Sequence, residues 1–117
     1  MATATAKTID LSGYTGSDNW YAHPLTSCTY TDGVLAFAEQ AGAYWFLDIV
    51  FSEYVSLQRA NGFLVITLAI VGERALISVG DGNGNELATT RVEFTDCPIG
   101  SYSFYFCNDV LHLPSEY

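Results

Sequence analysis

Two periods divide the chain. Between Thr31 and Asn61 the apolar residues recur with helical spacing, and from Phe63 onward the pattern shortens to that of strands. A first helix is predicted to start near Thr31, where Thr31 or Asp32 offers an oxygen to an orphan backbone N–H. It runs through Val34-Leu-Ala-Phe-Ala-Glu-Gln-Ala41, with Tyr30 stapled onto Leu35 and Gly42 ending or kinking it. A second helix is expected from about Ala43 to Arg59, stopped by Asn61-Gly62. At about 100° per residue, Asp48, Ser52, Ser56 and Arg59 fall within one stripe of about 80°. Apolar residues cover most of the rest of that helix, so it must be buried on more than one side, against the sheet, the first helix or another subunit.

Phe63-Leu-Val-Ile-Thr-Leu-Ala-Ile-Val71 reads as a strand and Gly72-Glu-Arg74 as a turn. Ala75–Val79 is the next strand, and Gly80-Asp-Gly-Asn-Gly-Asn85 is a dense turn signal. Glu86–Phe94 follows, with Leu87, Thr89, Arg91 and Glu93 on one face and Ala88, Thr90, Val92 and Phe94 on the other. Tyr102–Cys107, a turn at Asn108-Asp109 and a short strand Val110–Leu113 complete the pattern. Sequential strands with short turns usually pair with their neighbours. The expected fold is α+β: two consecutive helices packed on a four- to five-stranded antiparallel meander. Residues 1–18, rich in Ala, Thr, Ser and Gly, are expected to form a weakly ordered arm with a short extended piece at Lys7–Leu11. Residues 19–117 are expected to form one domain.

Composition narrows the function. Half of the 117 residues are hydrophobic, 13 acids face 4 bases, and the net charge is −9. With only Lys7, Arg59, Arg74 and Arg91, direct nucleic-acid binding through a basic surface is excluded, as is adhesion to anionic membrane. The N-terminus has no apolar leader-like region, and no run reaches the ~20 apolar residues of a membrane span. Cys28, Cys97 and Cys107, an odd count with no C-x-x-C pair, read as reduced thiols, which predicts a cytoplasmic protein.

Candidate chemistry is sparse. Asp81, Asn83 and Asn85 match the first three ligand positions of a calcium loop, but Glu86 and Val92 stand where Gly and the bidentate acid belong. A hairpin turn explains the same residues, so no metal or other cofactor is expected. His23 lies near Cys28 in sequence without an identifiable third group, and reads as a core or loop histidine. His112, between Leu111 and Leu113, is expected on the wet side of the sheet. Asp48 and Glu53 sit about 140° apart on their helix, too far round to form a paired acid/base site.

Several strings resemble an uncharacterised family of small proteins of bacteriophages and mobile elements. They are Asp18-Asn-Trp-Tyr-Ala-His-Pro-Leu25, Tyr30-Thr-Asp-Gly-Val34, Ala38-Glu-Gln-Ala-Gly-Ala-Tyr-Trp-Phe-Leu-Asp48, Asp81-Gly-Asn-Gly84 and Leu113-Pro-Ser-Glu-Tyr117. The resemblance implies no catalytic residue. It implies a phage-type setting, and by analogy a role like that of anti-CRISPR inhibitors of host defence. The expected function is therefore stoichiometric and non-enzymatic. An acidic surface built from Asp81, Glu86, Glu93, Asp96 and Asp109, with Trp20 and Tyr21 as an aromatic contact, would dock on the basic surface of a host protein complex. The apolar second helix, with Trp20 and Tyr21, predicts a homodimer or a subunit of something larger. The competing reading is a small enzyme or ligand-binding domain with a pocket between helices and sheet, lined by Tyr21, His23, Tyr44 and Asp48.

Overall fold

The computed structural model of the chain describes residues 9–14, 19–24 and 26–117. In chain order the elements are β1 (Trp20–Ala22), β2 (Thr29–Thr31), α1 (Asp32–Ala41), α2 (Tyr44–Glu53), α3 (Val55–Asn61), β3 (Phe63–Val71), β4 (Arg74–Gly80), β5 (Glu86–Val92), β6 (Gly100–Cys107) and β7 (Val110–His112). A short 3-10 turn, Pro114–Glu116, follows. The strands form one mixed sheet of seven in the order β1-β2-β7-β6-β3-β4-β5, and the fold is α+β.

The alternation in β3 sets the layers. Leu64, Ile66, Leu68 and Ile70 are buried. Their cross-strand partners include Phe106, Phe104 and Tyr102 on β6 and Val79, Ile77 and Ala75 on β4. The helices cover this face. Phe37 and Phe46 meet Phe104 at ring distances of 5.1 and 4.8 Å, and Phe51 meets Phe106 at 5.6 Å. Each fully buried aromatic or aliphatic side chain here contributes about 1.5–3 kcal/mol of transfer free energy. Phe46, Leu47, Val50 and Phe51 of α2 are all buried within the single chain.

The expected four- to five-stranded antiparallel meander is corrected in three ways. First, β6 pairs with β3 and not with β5. The chain crosses back over residues 93–99, pinned where the Thr95 N–H donates to the Glu73 carbonyl at 2.7 Å. Size explains the order. Phe104 and Phe106 need the helix aromatics that lie over the sheet's centre, whereas Ala88, Thr90 and Val92 of β5 suit an edge. Second, β1 and β2 are strands, and β2 runs parallel to β7 through Thr29↔Val110 and Tyr30↔Leu111. Three residues each are too few to show an alternation. Third, β5 ends at Val92, so Phe94 lies outside the strand and is exposed.

The second predicted helix is two helices. The break falls at Tyr54 (φ −111°, ψ 0°), whose buried ring leaves the helix line and hydrogen-bonds Thr90 on β5. The turn of direction lets α3 reach the β6–β7 turn. Gln58 Oε1 accepts from the Asp109 N–H at 2.7 Å, and Arg59 Nε donates to the Asp109 carboxylate at 3.0 Å. That turn has Asn108 and Asp109 both at positive φ (53° and 61°), the geometry of a tight primed hairpin turn.

The start of α1 is closed by the far end of the chain. Thr31 is its N-cap, as expected, and its Oγ1 accepts from the Val34 N–H. Glu116 then accepts from Thr31 Oγ1 at 2.6 Å, from the Gly33 N–H at 3.0 Å and from the Leu113 N–H at 2.9 Å. A carboxylate suits the positive end of a helix. Gly33 is required there, since a Cβ would come within 2.6 Å of both Glu116 Oε1 and Leu113 Cδ1. Gly42 ends α1 in the left-handed region (φ 63°), as its position predicts.

Of the predicted arm, residues 1–8 and 15–18 lie outside the described residues, and so does part of the extended piece at Lys7–Leu11. Ile9, Leu11 and Tyr14 pack against the core, and Gln40 exchanges two hydrogen bonds with the Asp10 backbone at 2.7 and 3.0 Å.

Candidate functional site

Among the described residues no α-helix lies on the second face of the sheet. From the alternation it presents Trp20 of β1, Thr31 of β2, His112 of β7, Tyr105 and Ser103 of β6, Phe63, Val65, Thr67, Ala69 and Val71 of β3, and Leu76 and Ser78 of β4. An antiparallel sheet with one solvated face normally alternates apolar with polar. Here β3 reads as a nearly continuous apolar run, the pattern of a strand covered on both faces.

The face has three parts. At one end lies an aromatic group. Phe63 contacts Tyr105 at 5.0 Å and Tyr117 at 5.8 Å, Tyr105 contacts Tyr117 at 5.3 Å, and the Tyr117 and His112 rings stack in parallel at 5.2 Å. Beside it a cavity of about 340 Å³ is walled by Trp20 and Tyr117, with Thr31, Val110 and His112 among its lining. In the middle a shallow cavity of about 370 Å³ lies over Val65, Thr67, Ser78 and Gly82. At the far end a cavity of about 360 Å³ has Ala69, Val71 and Leu76 as its apolar floor and Arg74, Arg91 and Glu93 at its sides.

His112 corrects its expected place on the wet side. It projects toward this face but is only 7% exposed, because Tyr117 lies over its ring. Nε2 has no hydrogen-bond partner among the described residues. Burial lowers its pKa from the usual histidine range, against smaller upward effects of a Val110 backbone hydrogen bond and the Glu116 charge. The ring is therefore a neutral acceptor at pH 7.

The other predicted site residues are dispersed. Asp81 and Glu86 lie at one end of β5, and Glu93 and Asp96 lie beyond the other, across roughly 23 Å of extended chain. The Asp81 carboxylate is taken up by its own turn. It accepts from the Asn83 N–H at 2.7 Å and from Asn85 Nδ2 at 2.8 Å, bonds that lower its pKa. Asp109 is gripped by Arg59 through two contacts of 3.0 Å, and its pKa is lowered by that hydrogen bond. Glu86, Glu93 and Asp96 are exposed. Trp20 faces the open side at 56% exposure, while Tyr21 turns to the helix side and donates to Asp32 at 2.7 Å.

Of the residues proposed to line an interlayer pocket, His23 and Asp48 meet, with Nε2 to Oδ1 at 2.9 Å. Burial and the ring contact with Phe51 at 4.9 Å hold His23 in the core, and Tyr44 is exposed. Cys28, the sulfur nearest in sequence, is fully buried with its thiol pKa pushed up by desolvation, the opposite of an activated nucleophile. All three cysteines are buried thiols. Among the described residues no group of three or more His, Cys, Asp or Glu is placed to hold a metal ion, and no helix is long and apolar enough to cross a membrane. The role of Glu116 at the start of α1 had no local signal, since Thr31 and Gly33 lie more than 80 positions away.

The chain belongs to a family described as a family of unknown function (DUF6876), whose model matches residues 5–117. No curated protein and no solved structure matches it. The match spans the Tyr30-Thr-Asp-Gly and Leu113-Pro-Ser-Glu-Tyr segments, which the fold joins through Glu116.

Proposed function

We propose that the protein acts by stoichiometric binding of another protein, through the open face of its sheet, and performs no catalysis of its own. The observation that carries this reading is β3, apolar on both faces and covered on one. An apolar sheet face of this extent, rimmed by polar residues, is the signature of an interaction surface. The net charge of −9 favours a partner with a basic surface. Resemblance to small phage and mobile-element proteins makes a host nucleic-acid-binding defence complex the partner class, in the manner of an anti-CRISPR inhibitor. Arg74 and Arg91 at one end of the face would repel a basic partner there, so the partner's basic part is oriented toward the Trp20 end.

The test compares capture of a partner from host lysate by wild type, by Thr67→Arg in the centre of the open face, and by Ser56→Arg on α3. Thr67→Arg is expected to weaken capture at least tenfold, about 1.4 kcal/mol, with Ser56→Arg unchanged. Loss in Ser56→Arg with Thr67→Arg intact contradicts the reading.

A further inference from the structure

We propose that the cavity between Trp20 and Tyr117 is a receptor for a guanidinium group, an arginine side chain of the partner, seated against the two rings with one N–H directed to His112 Nε2. The inference rests on the open-face reading above and names the chemistry at one end of it.

Four observations converge. His112 is more than nine-tenths buried, lines the cavity, and keeps an Nε2 with no partner among the described residues. Buried polar atoms are almost always paired, and each exception asks for an explanation, of which a donor supplied by a partner is one. A neutral imidazole nitrogen of this kind accepts, so the missing group is an N–H or O–H. The walls include the rings of Trp20 and Tyr117, which are 56% and 74% exposed, and aromatic rings of this kind receive a flat cation. Glu116 sets a fixed negative charge at the cavity's rim, its orientation locked by Thr31, Gly33 and Leu113. Among the described residues no Lys or Arg lines the cavity. Among cations, a guanidinium is planar, stacks on aromatic faces and carries five N–H donors in a fixed fork, whereas an ammonium is compact and strongly hydrated. The cavity of about 340 Å³ admits one side chain and not a folded segment. Tyr117 must tilt from His112 to admit the group; its ring stands at the edge of the aromatic cluster, where such movement disturbs no core contact.

The experiment titrates N-acetyl-arginine amide into the full chain and follows the indole N–H signals of Trp20 and Trp45 and the His112 ring signals by NMR. N-acetyl-lysine amide and the neutral N-acetyl-citrulline amide serve as controls. Arginine amide is expected to shift Trp20 and His112 and to leave Trp45 in place. Lysine amide should bind several-fold more weakly and citrulline amide not detectably. His112→Phe, which keeps a ring for Tyr117 to stack on, and Trp20→Ala should each weaken arginine amide at least tenfold. Equal shifts with citrulline amide, no response at Trp20 or His112, or unchanged binding in His112→Phe would each overturn the proposal. Arginine amide binding retained in Thr67→Arg while partner capture stays intact there strikes the open-face reading alone. Lost arginine amide binding with capture still sensitive to Thr67→Arg strikes this one alone.

Discussion

The two faces of the sheet are built from the same strands and differ in almost everything else. On the covered face, Leu64, Ile66, Leu68 and Ile70 of β3 lie under Phe37, Phe46 and Phe51 and are excluded from water. On the open face, one residue along in each case, Phe63, Val65, Thr67 and Ala69 have no helix over them among the described residues and are half buried, with Tyr117 reaching only Phe63. The charges divide as well. In the helical layer over the covered face, α1 and α2 carry Asp32, Glu39, Asp48 and Glu53 and no base, and the one base of α3, Arg59, is paired with Asp109. The open face holds Arg74 and Arg91, and neither makes an ion pair among the described residues. Hydrophobicity that folding consumes and hydrophobicity that folding leaves over look alike along a strand. Only the layer above each face separates them.

The comparison breaks most sharply by truncation. Leu68→Ala on the covered face leaves a cavity with no route to collapse, and is expected to cost about 2–5 kcal/mol by urea unfolding. Thr67→Ala, its neighbour on the open face, is expected to cost under about 1 kcal/mol, since little is removed from a packed environment. Equal costs would show the open face to be core.

The next effect is at the chain-end lock. Gly33→Ala drives a methyl into Glu116 and Leu113 and should destabilise by about 1–3 kcal/mol. Glu116→Gln keeps the shape but loses the charge-assisted bonds and should cost about 1–2 kcal/mol. The double variant should fall short of the sum, because one contact is removed twice. Strict additivity in thermal melts would separate the two sites.

The smallest effect is a pH slope. Burial lowers the His112 pKa in the folded chain relative to the unfolded one. The unfolded state therefore binds the proton first as pH falls below the ordinary histidine value of about 6.5. Stability from the neutral ring is fully present above about pH 6.5 and is lost as pH falls toward the lowered folded value. His112→Phe should flatten the stability profile between about pH 5 and 6.5, above the range where carboxylates titrate. An identical slope in wild type and variant would show that the ring is not held neutral by burial.

What the sequence made legible follows from how local each signal is. The cap at Thr31, the stop at Gly42, the run Phe63–Val71 and the turn at Asn108-Asp109 are set within a few residues, and the structure has each of them. Strand order depends on which side chains fill the space under the helices, so the placing of Phe104 and Phe106 beside β3 was not readable from turn lengths. Neither were β1 and β2: each is three residues long, and β2 joins the sheet through β7, some 80 residues downstream. The candidate site shows the same division. Trp20 stood out as an exposed aromatic beforehand, whereas the burial of His112 depends on Tyr117, which no spacing links to it.

The acids separate in the same way. Asp81 and Asp109 serve their own turns, while Glu86, Glu93 and Asp96 stand free at the rims. Reversal of Glu86 and Glu93 to Lys should slow partner association and steepen no unfolding transition, with the effect fading as salt shortens the Debye length to about 3 Å at 1 M.

The central claim is that the uncovered face is where a partner sits. A photo-crosslinking residue placed at Thr67 in one sample and at Ser56 in another, irradiated in cell extract, tests it most directly. The account predicts one discrete crosslinked protein from Thr67 and none from Ser56; the same protein crosslinked from Ser56 and not from Thr67 would place the interface on the helical layer and contradict it.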